Sequence, residues 1–141
     1  MNSVWWILAG VLIFAIGGKG INMLSGSYLT ANQIAAYAQN AGFSGNALIT
    51  AVAIALAESS GNPQASGDGG NSYGLWQIDY KYHPEFGIPG PSWYDPQTNA
   101  NMAYSVYVAA GNSFNPWSSY SVNGTYAQYI STVQQSLNLN A

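Results

Sequence analysis

The feature that most constrains the fold is an uncharged run from Ala47 to Ala57 that leads directly into Glu58. The run is apolar on nearly every face, which is typical of a helix buried at the centre of a domain. A polar, glycine-rich stretch follows, from Ser59 to Asn71. The sequence therefore predicts a central buried helix whose last turn carries a carboxyl group to the edge of the core.

Further helices are predicted on either side of this one. Thr30 and Gln33 form a capping-box pattern at the start of the first helix, and Gly42 is expected to end it. Asp95 followed by Pro96 is typical of a helix start. In the last helix, which Thr125 is expected to cap, apolar residues recur at three- and four-residue spacing: Tyr126, Tyr129, Ile130, Val133 and Leu137.

Two stretches between the helices have no helical periodicity. Residues Tyr73 to Ile78 are predicted as a short strand or as one arm of a hairpin, after a turn rich in glycine and Asx residues. Residues Asn115 to Tyr120 are predicted as a loop. The expected fold is therefore α+β and mainly α, with one small β element.

The composition excludes several classes of function. Charged residues are only 5% of the chain, and two Lys and Arg residues against five Asp and Glu give a net charge of −3. Such a chain has too few cations to neutralise several phosphates, so nucleic acid is not an expected partner. The absence of cysteine and the single histidine argue against Cys-based and His-rich metal sites, and we expect no metal or cofactor.

The amino-terminal segment, residues 1–24, is apolar and carries Lys19 as its single charged residue. With Ile21 to Leu24 included, it reaches the roughly 20 residues that a transmembrane helix needs. We expect a membrane anchor over 1–24, a short linker over 25–29 and a folded domain over 30–141. A signal peptide and a buried core helix are the alternatives; the absence of a basic residue before Val4 is unusual for a signal peptide.

Glu58 is the main candidate for chemistry. A carboxylate at the carboxyl end of an apolar helix is disfavoured by burial and by the helix dipole, so its pKa should be raised. A raised pKa is what a general acid needs near neutral pH. The alternative is a solvated Glu at a fraying helix end.

The surroundings of Glu58 resemble three motifs of the goose-type lysozyme and lytic transglycosylase superfamily. These are Glu58-Ser59 at the helix end, the turn Gly67-Asp68-Gly69-Gly70-Asn71, and Gly74-Leu75-Trp76-Gln77-Ile78-Asp79. His83 also falls where goose-type lysozymes often have a histidine, and Tyr129 looks like a carboxyl-terminal tyrosine of the family. The resemblance spans about Thr30 to Leu137 and leaves out the amino-terminal segment. It departs from the goose-type pattern in its small size and in lacking disulfides.

The resemblance implies a role for each matched residue. Glu58 would protonate the glycosidic oxygen between N-acetylmuramic acid and N-acetylglucosamine in peptidoglycan. Asp79 and Asp68 would activate or position water in a hydrolase, whereas a lytic transglycosylase needs no second carboxylate. Gln77 would bind substrate or hold the hairpin. The resemblance places Tyr129 beside the acid. Apart from the resemblance, four aromatic side chains could stack on sugar rings, with a place in the core as their alternative: Tyr73, Trp76, Trp117 and Tyr120.

The sequence thus predicts a transmembrane helix followed by a lysozyme-like catalytic domain. The expected activity is peptidoglycan cleavage at the β-1,4 bond by a lytic transglycosylase or muramidase. The expected location is a membrane, either the internal membrane of a phage virion or a bacterial envelope facing the wall, with other virion or envelope proteins as further partners. The alternative is a catalytically inactive glycan-binding or structural membrane module.

Overall fold

The computed structural model describes residues 4–8, 11–15, 21–23 and 28–138 of the 141-residue chain. Within this part, five helices and two small antiparallel sheets are formed.

The amino-terminal segment contains strands where a helix was expected. Strands β1 (Val4–Leu8), β2 (Val11–Ala15) and β3 (Ile21–Met23) form an antiparallel sheet in the order β1-β2-β3. Leu8 pairs with Val11 and Val4 with Ala15 across β1 and β2. The high β propensity of Val, Ile, Trp and Phe accounts for this outcome. The predicted transmembrane helix over 1–24 is therefore not found, and no helix in the described part of the chain is both long and apolar enough to span a membrane.

The helical domain is built around the predicted central helix. Helix α2 (Gly45–Ser59) is flanked by α1 (Ala31–Ala41) and by α5 (Ala127–Asn138), and α1 also packs on α3 (Pro96–Ala109). A continuous run of α2, residues 51–55, is buried. This burial confirms the expectation drawn from its uninterrupted apolar sequence.

The helix ends follow local sequence signals. Thr30 accepts a hydrogen bond from the Gln33 backbone N–H and the Gln33 side chain accepts one from Thr30 N–H, which completes the capping box of α1. Gly42, with φ +128°, ends that helix. Asp95 caps α3 by accepting from the Thr98 backbone N–H at 2.9 Å. These three predictions are confirmed.

The second sheet lies between α2 and α3 in the chain. It consists of β4 (Ser66–Gly67), β5 (Ser72–Tyr73) and β6 (Ile78–Asp79), all antiparallel. Ser72 pairs with Asp79 and Tyr73 with Ile78. The segment predicted as one strand is thus divided by a turn at residues 74–77, where Gly74 (φ +77°) and Gln77 (φ +47°) have left-handed backbones.

Two expectations at the carboxyl end are wrong. The predicted loop 115–120 contains part of a short helix, α4 (Ser118–Ser121). Thr125 does not act as the predicted cap: its hydroxyl donates to the Asn123 side chain at 2.9 Å, and α5 begins at Ala127. Both differences involve local hydrogen bonds that the spacing of apolar residues does not reveal. The Trp117 carbonyl oxygen accepts from the Ser121 hydroxyl in α4, and the Asn123 side chain accepts from the Thr125 hydroxyl.

Candidate active site

Glu58 lies in the last turn of α2, as the sequence predicts. The next residue, Ser59, is buried, and its hydroxyl donates to the Ala55 carbonyl oxygen at 2.8 Å and accepts from Gly61 N–H at 3.2 Å. Ser60 then adopts a left-handed backbone and ends the helix. The Glu58-Ser59 pair therefore places a carboxyl group at a fixed helix end and not on a fraying turn.

The surroundings of Glu58 favour its protonated form. Its pKa is raised above the ordinary value of 4.5 chiefly because burial removes water from the carboxyl group. The side chain and backbone N–H of Ser119, on α4, face this carboxyl group and partly offset the rise, while the negative charge of Asp68 adds to it. The Ser119 hydroxyl makes no hydrogen bond of standard geometry among the described residues. The direction of the pKa shift agrees with the sequence prediction.

Glu58 lines a cleft of about 210 Å³, which we call the acid cleft. Its walls come from the end of α2, the second sheet and the segment before α4. The lining residues are Glu58, Asp68, Ser72, Gln77, Asp79, Tyr82, Pro116, Trp117 and Ser118. A second cavity of about 350 Å³ shares Gln77, Asp79, Tyr82, Pro116 and Trp117 with it and continues towards His83.

The structure brings all three predicted catalytic carboxyl groups into the acid cleft. Asp68, in a left-handed turn, accepts a hydrogen bond from the Ser72 hydroxyl at 2.6 Å. Asp79, on the neighbouring strand, accepts from the Lys81 backbone N–H at 2.8 Å. Because Ser72 and Asp79 are paired across β5 and β6, both acids are held on the same face of the sheet.

Gln77 lines the cleft and also stabilises the turn behind it. Its amide nitrogen donates to the Ala65 carbonyl oxygen at 3.0 Å and to the Gly74 carbonyl oxygen at 2.9 Å. A Cβ atom at Gly67 would overlap the Gln77 Oε1 atom. Of the two roles that the resemblance left open, holding the hairpin is therefore visible in the structure, and substrate binding stays a prediction.

Trp76 is in the core and not in the cleft, which corrects its predicted place among the glycan contacts. Its side chain has no exposed surface, and its indole N–H donates to the Ala51 carbonyl oxygen on α2 at 2.9 Å. Trp117, in contrast, lines the acid cleft while its indole N–H donates to the Trp76 carbonyl oxygen at 2.9 Å. The two tryptophans join α2, the hairpin turn and the segment before α4.

Tyr73 and Tyr129 do not line the acid cleft. Tyr73 lines a separate pocket, and its hydroxyl donates to the Gly70 carbonyl oxygen at 2.6 Å. Tyr129 is half-buried on α5 and packs against the core. The roles expected of these two residues stay predictions.

Asn99 is a structural determinant of the site that the sequence reading missed. It is fully buried on α3, accepts from Trp76 N–H at 2.9 Å, and donates to the carbonyl oxygens of Tyr73 and Trp93 at 2.9 and 3.0 Å. A Cβ atom on Gly74 would lie 2.5 Å from the Asn99 amide nitrogen, so only glycine fits beside it. The sequence does contain a signal for this role: Asn99 is polar but lies four positions before Ala103, and therefore on the same buried face of α3.

His83, the single histidine of the chain, lines the second cavity. His83 Nδ1 lies 3.0 Å from the Glu85 carboxylate, and the pKa of Glu85 is lowered because its own backbone N–H and the His83 side chain donate to it. Within the described residues, no group of three or more His, Asp or Glu side chains is arranged to hold a metal ion.

Comparison with known proteins identifies the class to which this fold and cleft belong. A family model described as the lysozyme-like domain matches residues 35–119, which is more than half of the chain. The chain therefore belongs to the lysozyme-like domain family, and this membership indicates peptidoglycan as the substrate class and glycosidic bond cleavage as the class of activity. Comparisons with curated proteins and with solved structures give no match.

Proposed function

We propose that the protein cleaves the β-1,4 bond between N-acetylmuramic acid and N-acetylglucosamine in peptidoglycan, with Glu58 as the general acid. The observation that carries this proposal is the position of Glu58: a carboxyl group with a raised pKa at a buried helix end, facing a cleft that two further carboxyl groups line. Membership of the lysozyme-like domain family supports the same substrate class.

In the first step, the protonated Glu58 donates its proton to the glycosidic oxygen as the bond from that oxygen to C1 of the muramyl residue breaks. Positive charge develops at C1 and its ring oxygen. Asp68 and Asp79 line the same cleft as Glu58, which supports a role for them in stabilising this charge. Glu58 leaves this step as a carboxylate and can act as the base in the next one.

The second step has two chemical routes. In hydrolysis, a carboxylate removes a proton from the water that attacks C1; in an inverting enzyme the two carboxyl groups stand roughly 6.5–9.5 Å apart. In transglycosylation, Glu58 removes a proton from the muramyl 6-hydroxyl group, which closes a 1,6-anhydro ring. Asp79 and Asp68 are needed for the first route and dispensable for the second. The resemblance of the Asp68 and Asp79 motifs to those of goose-type lysozymes supports the first route.

Mass spectrometry of the products tests the proposal and separates the two routes. Purified peptidoglycan digested by the protein should release muropeptides cut on the glycan strand, with intact peptide stems. Reducing ends would identify a hydrolase, and anhydro ends, lighter by one water, a transglycosylase. Release of free stem peptides, or of no fragment at all, would contradict the proposed function.

We further propose that residues 1–24 attach the enzyme to a membrane, in a phage virion or in a bacterial envelope facing the wall. The support is the composition of this segment, which is apolar and carries one charge, Lys19. The full chain should float with phospholipid vesicles in a density gradient, and a chain beginning at Tyr28 should not. Equal behaviour of the two chains would contradict the attachment.

A further inference from the structure

A second concave site lies apart from the acid cleft. It has a volume of about 550 Å³ and is lined by Gln64, Tyr73, Pro89, Gly90, Pro91 and Tyr94, which we call the tyrosine pocket. It shares no lining residue with the acid cleft. Its volume is within the range of roughly 300–1,000 Å³ that is usual for small-molecule sites.

The tyrosine pocket and the acid cleft are on opposite faces of the same small sheet. Successive residues of a strand point to opposite faces, and Ser72 and Tyr73 are successive residues of β5. Ser72 lines the acid cleft, whereas Tyr73 lines the tyrosine pocket. One strand thus carries a residue of each site.

The aromatic wall of the tyrosine pocket is held in a fixed arrangement. The Tyr73 ring packs edge-on against Trp93 and Tyr94, with centroid distances of 5.3 and 5.6 Å. Its hydroxyl is tied to the Gly70 carbonyl oxygen. Asn99 fixes the backbone at the Tyr73 carbonyl oxygen. The pocket is therefore largely formed before any ligand arrives, which lowers the entropic cost of binding.

The chemistry of the lining selects an uncharged ligand with both apolar and polar faces. None of the six lining side chains is charged near neutral pH. The Gln64 side-chain amide makes no hydrogen bond within residues 28–138, so its donors and acceptor are available to a ligand. Tyrosine and proline rings offer flat apolar surface to the C–H face of a pyranose ring. A stem peptide, with free carboxylate and amino groups, would find no opposite charge here.

We propose that the tyrosine pocket is a second saccharide-binding site, which takes an N-acetylhexosamine unit of a neutral glycan strand outside the acid cleft. This inference rests on the proposed function for the choice of saccharide. Binding at this site would hold a polymeric strand to the enzyme between cleavage events, without contact with the reacting bond.

Gly90 provides a way to block the pocket without disturbing the core. Its backbone is extended (φ −155°), and a Cβ atom there meets no heavy atom within 4 Å. Gly90→Leu is therefore expected to fold normally while occupying space at the pocket wall. Gly90→Ala is the matched control, since a methyl group leaves most of the volume free. Tyr94→Ala is a second variant, which removes part of the aromatic wall.

The test is a titration of the full-length Glu58→Gln chain with a neutral tetramer of N-acetylglucosamine, followed by amide NMR shifts. We expect saturable shifts at Gln64, Gly90 and Tyr94. The affinity obtained from these shifts should fall at least tenfold in Gly90→Leu and in Tyr94→Ala, but not in Gly90→Ala. Shifts at Asp79 and Trp117 report the acid cleft independently and should be unaffected by all three substitutions.

The outcomes separate this inference from the proposed function. Shifts confined to the acid cleft would overturn the second site and leave the proposed function intact. Shifts confined to the tyrosine pocket would support the second site and contradict substrate binding in the acid cleft. Shifts at the pocket with a sugar-free stem peptide, and none with the tetramer, would overturn the saccharide assignment.

Discussion

The two glutamates of this chain differ in what surrounds their carboxyl groups. Glu58 is partly buried at the end of α2, which raises its pKa, whereas Glu85 is exposed and receives hydrogen bonds that lower its pKa. The same chemical group is therefore prepared as a proton donor at one position and as a stable carboxylate at the other. This contrast makes Glu85 the natural control for Glu58.

The pKa shift of Glu58 predicts a pH-dependent effect on stability. Because the folded protein binds this proton more tightly than the unfolded chain does, the free energy of unfolding falls as pH rises from the ordinary value of 4.5 through the raised pKa. Above that window, ionised Glu58 destabilises the fold. Glu58→Gln should therefore be more stable than the wild type at pH values well above this window and should show less of this advantage near pH 4.

Denaturant unfolding of the two chains at several pH values measures this difference. Glu85→Gln should show no such gain, because the pKa of Glu85 is shifted in the opposite direction. A Glu58→Gln variant whose stability relative to the wild type does not change with pH would show that burial does not disfavour the charge.

At the scale of elements, the site depends on the contact between α3 and the hairpin turn. Asn99 is the α3 residue that satisfies three backbone groups of this region: Trp76 N–H and the carbonyl oxygens of Tyr73 and Trp93. The bonds to Trp76 N–H and to the Trp93 carbonyl oxygen are buried and the bond to the Tyr73 carbonyl oxygen is partly buried, so leaving these groups unpaired is costly.

Asn99→Ala should lower the free energy of unfolding by about 3 kcal/mol, since each unpaired buried group costs roughly 1–3 kcal/mol and the groups partly relax. Asn101→Ala, on the exposed side of the same helix, should change it by less than about 0.5 kcal/mol. Thermal or urea unfolding measures both. Equal stability of the two variants would show that Asn99 is not the main support of the turn.

The elements also show how far the sequence could predict the structure. Boundaries set by neighbouring residues, such as the Thr30 capping box and the Asp95 cap, were predictable because the signal is local. The burial of Trp76 depends on its bond to Ala51, and the approach of Ser119 to Glu58 depends on α4. Both are contacts between distant parts of the chain, which no local pattern encodes. In the amino-terminal segment two sequence signals disagree: its apolar length favours a helix, whereas its residue types favour strands, and the structure has strands.

For the candidate site, the sequence predicts which motif residues are involved, but it does not predict which cavity each of them lines. Glu58, Asp68, Asp79, Gln77 and Trp117 meet in one cleft because the sequence motifs fall on one helix end, one small sheet and the segment that leads into α4. Tyr73 lies next to Ser72 in the chain, yet it lines a different pocket. The alternation of side chains along a strand causes this separation, and it became visible only once the register of β5 was known.

At the scale of the molecule, the low charge suits a ligand whose sugar backbone is uncharged. With 5% charged residues and a net charge of −3, the protein has little long-range field with which to attract or repel a glycan strand. Recognition must come from short-range contacts in the acid cleft and, as proposed, the tyrosine pocket. Binding of a neutral chito-oligosaccharide should therefore be nearly independent of salt concentration.

Glu58, as proposed, supplies the proton that breaks the glycosidic bond. The most direct test of this role is the initial rate of soluble muropeptide release from purified peptidoglycan by the wild type, Glu58→Gln and Glu85→Gln. Loss of a general acid typically costs about 10²–10⁴-fold, so Glu58→Gln should fall by that amount while folding normally and Glu85→Gln should retain the wild-type rate. Equal rates for the wild type and Glu58→Gln would contradict the role of Glu58 as the general acid.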